Sequence, residues 1–198
     1  MNSTEKGNSF EDRVYDLLLE ALNNDKLFIT RKHSLLFKKK SYFSKDRNSK
    51  IIFDLAIECY RDGSKQPNLI ILIECKDYET SISVDNIEEF YSKKQQVARA
   101  NSKCIFFTTT SLQSSALTYA INLGIGVVRI MKDDSMMWLV ERTNKNLSTT
   151  SENSIAINVI NAITNEYFVS TRKNIFGYFD GKTFLSTIDM IINLLEEV

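Results

Sequence analysis

Ile51-Ile52-Phe53-Asp54-Leu55-Ala56-Ile57-Glu58 and, ten residues on, Leu69-Ile70-Ile71-Leu72-Ile73-Glu74-Cys75-Lys76 decide the reading of this chain. Both runs are β-branched and apolar enough to be buried strands, yet each carries charge where strands are normally depleted of it. An unpaired buried charge costs more than a domain can spare. Asp54, Glu74 and Lys76 must therefore meet partners, and carboxylates together with a lysine suggest a divalent cation and a phosphate.

Between the runs, Arg61-Asp62-Gly63-Ser64-Lys65-Gln66-Pro67-Asn68 holds the only proline and reads as a hairpin loop. Side chains alternate along a strand, so Ile70, Leu72, Glu74 and Lys76 share one face, with the two charges about 7 Å apart. An antiparallel pairing of 50–60 with 68–76 returns Asp54 to the Glu74 end. Two carboxylates that both stay ionised repel, and a cation resolves the conflict. Hard oxygen donors suit Mg²⁺, with Mn²⁺ as a substitute. Phosphodiester hydrolysis is the chemistry that fits.

Outward from this pair, residues 8–24 form an amphipathic pattern with Phe10, Val14, Leu17, Leu18, Ala21 and Leu22 in helical register. Asn8 followed by Glu11 is a helix-start signal. Residues 26–43 predict a long strand or a bent pair. Downstream, helix 84–100, strand 104–109, helix 112–123 and strand 126–131 complete an αβββαβαβ order, which implies a mixed central sheet flanked by helices. Residues 136–142 add an edge strand. The Ser/Thr/Asn-rich stretch 143–154 reads as a linker, separating a core of residues 1–142 from a C-terminal α-rich extension, 155–198. Two apolar segments there, 155–168 and 184–195, flank a short aromatic strand at 176–181. The extension either packs on the core or forms a dimer contact.

Composition narrows the class. The chain has 198 residues, 43% hydrophobic and 25% charged, with a formal net charge of zero. These are the values of a globular domain, so nucleic-acid contact has to rest on local charge. Arg31, Lys32, Lys38, Lys39, Lys40, Lys45, Arg47 and Lys50, opposed only by Asp46 and interleaved with Phe37, Tyr42 and Phe43, form such a stretch. Lys38, Lys39, Lys40, Lys45, Arg47 and Lys50 are its candidate phosphate contacts. Cys59, Cys75 and Cys104 lack metal-ligand spacing and read as buried thiols of a cytoplasmic protein. No run approaches the ~20 apolar residues of a membrane span. His33 is the only histidine, which excludes His-rich zinc hydrolases. Walker, nucleophile-elbow and dinucleotide-binding motifs are absent from the sequence.

The order of parts resembles the PD-(D/E)xK nuclease superfamily, and within it the Mrr-type restriction endonucleases. Gly7-Asn8-Ser9-Phe10-Glu11 is similar to the G-x-x-F-E of the family's first helix. Asp54 stands at the strand Asp, and Glu74-Cys75-Lys76 at E-x-K. Residues 105–110 with Ala116, Ala120 and 124–128 match the later strand-helix-strand segment. Phe53 replaces the proline or small residue usual before the Asp, and Lys45 to Lys50 stand in place of a Gly-rich lead-in.

The resemblance implies a restriction-endonuclease-like fold and a Mg²⁺-dependent endodeoxyribonuclease acting on DNA in restriction or defence. It also implies Glu11 as a fourth catalytic residue beside Asp54, Glu74 and Lys76, and a homodimer or partner subunit. The alternatives are a catalytically silent module that binds DNA or protein, and a junction-selective repair nuclease. Gln95 on the helix after E-x-K is a further candidate, while Glu58 reads as a structural ion-pair residue.

Overall fold

The computed structural model describes residues 3–24, 31–97, 101–131, 159–168 and 175–196. Helix α1 (Ser3–Asn23) precedes strands β1 (Ser34–Ser44), β2 (Ser49–Cys59) and β3 (Leu69–Lys76). Then come α2 (Val84–Val97), β4 (Ser102–Thr108), α3 (Ser114–Asn122) and β5 (Ile125–Ile130). A helical stretch at 159–164 (α4), β6 (Ile175–Phe179), β7 (Lys182–Phe184) and α5 (Thr187–Glu196) complete the described chain.

The seven strands of the described residues lie in one sheet in sequence order. β1, β2 and β3 form an antiparallel meander, β3, β4 and β5 run parallel, and β6 and β7 return antiparallel. The parallel steps need crossovers, which α2 and α3 supply. Both crossover helices pack on one face, where Phe53, Leu72, Phe90, Phe106 and Val127 are buried together with Ala162 and Ile163 of α4. On the opposite face α1 and α5 cover Leu55, Ile57, Ile71, Ile73 and Phe107 with Phe10, Val14, Leu18, Met190 and Leu194. Each large apolar side chain buried this way contributes about 1.5–3 kcal/mol. Covered on both sides, β3 and β4 read as continuous apolar runs.

Several expectations are corrected. Helix α1 begins at Ser3, five residues before Asn8, because Glu5 and Lys6 are good helix formers and Gly7 inside a helix costs only about 1 kcal/mol. Asn8 is therefore not its start. The aromatic strand ends at Phe179, since Asp180 and Gly181 both take positive φ (43° and 74°) and turn the chain into β7. That dipeptide is a strong two-residue hairpin signal. β6 and β7 extend the sheet beyond β5, so the described part of 155–198 is one strand pair and two helical stretches.

α5 seats against β5 and β6 through Met190. A Cβ on Gly177 would lie 2.8 Å from its sulfur, and one on Gly126 would lie 3.0 Å from its methyl. Arg129 on β5, 5% exposed, donates to the carbonyls of Ala162 (2.7 Å) and Asn165 (2.8 Å) at the end of α4. The charge thereby meets the negative end of that helix. The expected strand at 136–142 and linker at 143–154 lie outside the described residues, as do 25–30.

Candidate active site

A paired kink builds the site. β1 and β2 keep one register from Ser34↔Cys59 to Ser44↔Ser49, broken only where Lys39 faces Asp54. Lys39 has φ +49°, rare for a side chain with a Cβ. The kink reverses the alternation of both strands. Leu55 and Ile57 pack toward α1, whereas Phe53 and Ile51 pack toward α2. The β2–β3 ladder also stops here, at Leu55↔Ile73. Asp54 thus stands where two ladders are interrupted. Its Oδ2 accepts the backbone N–H of Cys75 at 2.9 Å, a donor left over as β2 turns away from β3. Cys75 is the residue between Glu74 and Lys76, so the expected hairpin return is realised.

Around this hinge the charges form two groups. Glu11 comes from α1 and is buried; the Lys39 ammonium bridges Glu11 Oε1 (2.6 Å) and Asp54 Oδ1 (2.8 Å). Burial raises the Glu11 carboxyl above its ordinary value, against the opposing pull of Lys39, and the nearby Asp54 adds to the rise. Glu74, also buried, points toward α2. Its Oε1 takes Lys76 at 2.9 Å and Lys93 at 3.0 Å, and Lys93 also meets Glu89 at 3.0 Å. Burial works against the Lys76 ammonium, but Glu74 more than offsets it and holds its pKa above the ordinary lysine value. Burial of Cys75, with Asp54, Glu11 and Glu74 around it, pushes its thiol well up. The first group lies in the plane of the sheet and toward α1, the second toward α2, and the Asp54–Cys75 bond joins them.

The six basic candidates divide. Lys38 is paired with Asp12 of α1, Lys39 with the site carboxylates, and Lys40 with Glu58 at 3.2 Å while lying over the Phe37 ring. Lys45, Arg47 and Lys50 are exposed at the β1–β2 turn. Glu58 is buried and accepts from Tyr60 (2.6 Å) and Tyr42 (2.9 Å) as well as from Lys40, a structural network. Gln95 donates to the Tyr91 hydroxyl on its own helix.

Lys93 was not singled out from sequence. The available signal was its place three residues after buried Phe90 and four after Glu89. Lys39 was visible only as one of a basic run, because the kink that turns it inward leaves no mark in the sequence.

The donor set suits a hard cation. Asp54, Glu74 and Glu11 offer carboxylate oxygens, and the Lys39 ammonium already sits between two of them. Among the described residues no group of three or more His, Cys, Asp or Glu side chains is placed to hold a metal ion. Mg²⁺ does not require such a group, since it commonly takes one or two carboxylates and fills its shell with water and phosphate. No helix among the described residues is long and apolar enough to cross a membrane.

A mixed sheet with helices on both faces, parted at an Asp beside Glu-x-Lys, is the core of a nuclease of restriction-endonuclease type. Residues 36–136, just over half of the chain, match the family described as Mrr_cat, restriction endonuclease, and the chain belongs to that family. DNA is the substrate this class implies, and divalent metals are its general cofactors. A solved structure of a protein of unknown function, AF1548, is similar at 18% identity with a TM-score of 0.44, covering 59% of this chain. The chain spans about half (54%) of that protein. No curated protein matches.

Proposed function

We propose that this protein is a metal-dependent endodeoxyribonuclease that hydrolyses DNA phosphodiester bonds in restriction or another defence against foreign DNA. The observation that supports it best is the 2.9 Å bond from the Cys75 N–H to Asp54, which ties one carboxylate to the residue between Glu74 and Lys76. Asp54 and Glu74 would hold Mg²⁺, with Mn²⁺ as a substitute. When bound, the ion polarises the scissile phosphate and lowers the pKa of a coordinated water. Lys76 donates hydrogen bonds that orient the attacking water or meet the charge developing on phosphate oxygen. Glu11 holds Lys39 and supports Asp54. Lys93 shares the charge of Glu74, leaving Lys76 freer to turn toward substrate. Lys45, Arg47 and Lys50 contact the phosphate backbone. Cutting both strands of a duplex then calls for a second copy, a partner subunit or two encounters.

Incubation of supercoiled plasmid with Mg²⁺, with Mn²⁺ and with chelator tests the reading. Nicked and linear product in metal alone is expected, and Glu74→Gln should abolish it. Binding without nicking in any metal would instead favour a silent DNA-binding module. One observation favours that second reading: Lys39 already neutralises both Glu11 and Asp54. Preferential cutting of four-way junctions over linear duplex would favour the repair alternative.

A further inference from the structure

Past the Lys39–Asp54 kink, β1 and β2 continue as a two-stranded arm. β2 pairs with β3 only over Leu55–Cys59, whereas five β1–β2 pairs, Lys40↔Phe53 to Ser44↔Ser49, lie beyond that contact. One face of the arm packs on α2, with Tyr42, Phe53 and Phe90 in edge-to-face contact. Cross-strand partners share a face. Since Ser41 lies opposite Ile52 and Phe43 opposite Lys50, these four residues line the other face. There Phe43 is 56% exposed and Ile52 57%. A lone exposed apolar residue is ordinary, but a neighbouring pair on an extended ribbon marks a contact surface. The tip, residues 45–48, is exposed and carries Lys45 and Arg47 against Asp46, with exposed Lys50 on the adjoining strand.

We propose that this arm enters the major groove of duplex DNA, with Phe43 and Ile52 against base edges and Lys45, Arg47 and Lys50 on the flanking phosphates. The proposal rests on the assignment of DNA as substrate and adds how the duplex is read. The dimensions agree: a major groove about 12 Å wide admits a two-stranded ribbon, and its base edges include apolar thymine methyls. Five residues of strand extend about 17 Å, enough to span the groove's depth. The basic tip complements the phosphates that border the groove. Asp54 stands at the root of the same strand, so seating the arm carries backbone phosphate toward the carboxylates. A second copy of the chain would present the same net positive tip and lacks this complementarity.

Fluorescence anisotropy of the full chain in chelator, with a labelled duplex two helical turns long and with its single strand, tests this. Phe43→Thr/Ile52→Thr keeps β-forming residues at exposed positions, and an unchanged melting temperature verifies the fold. The expected result is duplex binding weakened by about tenfold or more, with little change for single strand and an unaltered salt slope. Lys45→Ser/Arg47→Ser/Lys50→Ser should flatten the slope of log K against log salt by about 2–3.

Wild-type duplex affinity in the Phe43/Ile52 variant, or equal losses for duplex and single strand, would overturn the proposal. So would a dimer that this variant converts to monomer with duplex affinity intact. A chain that loses duplex binding on these substitutions but never cuts leaves the arm standing and removes the catalytic reading. A chain that cuts, with the variant binding normally, does the reverse. A wild-type chain that binds no duplex removes both.

Discussion

The carboxylate of Asp54 accepts the backbone N–H of Cys75 at 2.9 Å, across the gap where β2 leaves β3. The bond does two things. It satisfies a backbone donor that the interrupted ladder would leave unpaired, and it fixes one acid beside Glu74 and Lys76. Fold and site therefore share one residue.

This dual role separates two substitutions. Asp54→Asn keeps an acceptor for the Cys75 N–H and should melt close to the wild type. Asp54→Ala orphans that N–H at about 1–3 kcal/mol, which lowers Tm by roughly 2–12 °C for a chain of this size. Both should lose metal-dependent nicking. Thermal melts alongside a plasmid assay check the pair, and equal Tm values for the two variants would remove the structural role.

Lys93 should matter without being essential. Lys93→Met leaves Glu74 with Lys76 alone, which draws Lys76 toward the carboxylate and away from substrate. Loss of a supporting partner of this kind typically costs about 10–100-fold in activity or metal affinity. Lys76→Met should be inactive. Single-turnover rates of both variants provide the check, and a Lys93 variant at the wild-type rate would contradict the account.

Glu58 governs part of the acid sensitivity. Burial alone would raise its carboxyl, but hydrogen bonds from Tyr60, Tyr42 and Lys40 outweigh burial and lower it. A carboxylate lowered on folding adds stability that is present above its unfolded value, 4.5, and is lost as pH falls through the folded value. Glu58→Gln should cost about 2–3 kcal/mol at neutral pH and flatten the fall in stability below pH 4.5. Urea melts at neutral and acid pH measure this. An unchanged acid slope would refute the assignment.

At the far end of the sheet, Gly177→Val should destabilise by about 1–3 kcal/mol through overpacking against Met190. Met190→Ala should relieve part of that cost in the double variant. A double-mutant cycle by chemical denaturation gives the coupling, and strict additivity would mean that α5 does not seat on Gly177.

The central pair of strands and the E-x-K acid and lysine were legible because periodicity and charge coincide there. Asp54 was legible for the same reason, being a charge in the middle of an apolar strand run. The kink was not. Reversal of the Phe53–Leu55 alternation depends on pairing with Lys39, a non-local event that leaves both residues looking like ordinary strand positions. For that reason Lys39 read as part of a basic run although it bridges Glu11 and Asp54. Glu11 looked equally like a partner for Asn8 and like a site residue, until the helix was seen to start earlier. β7 was missed although Asp180-Gly181 marks its turn, because three residues of strand are too short to show a period.

The most direct test counts Mn²⁺ bound to the DNA-free chain by electron paramagnetic resonance, for wild type, Asp54→Asn and Glu74→Gln. One ion per chain in the wild type, lost in each variant, is the predicted result, since the proposed site takes one carboxylate from each residue. Full binding retained by both variants would contradict a shared site.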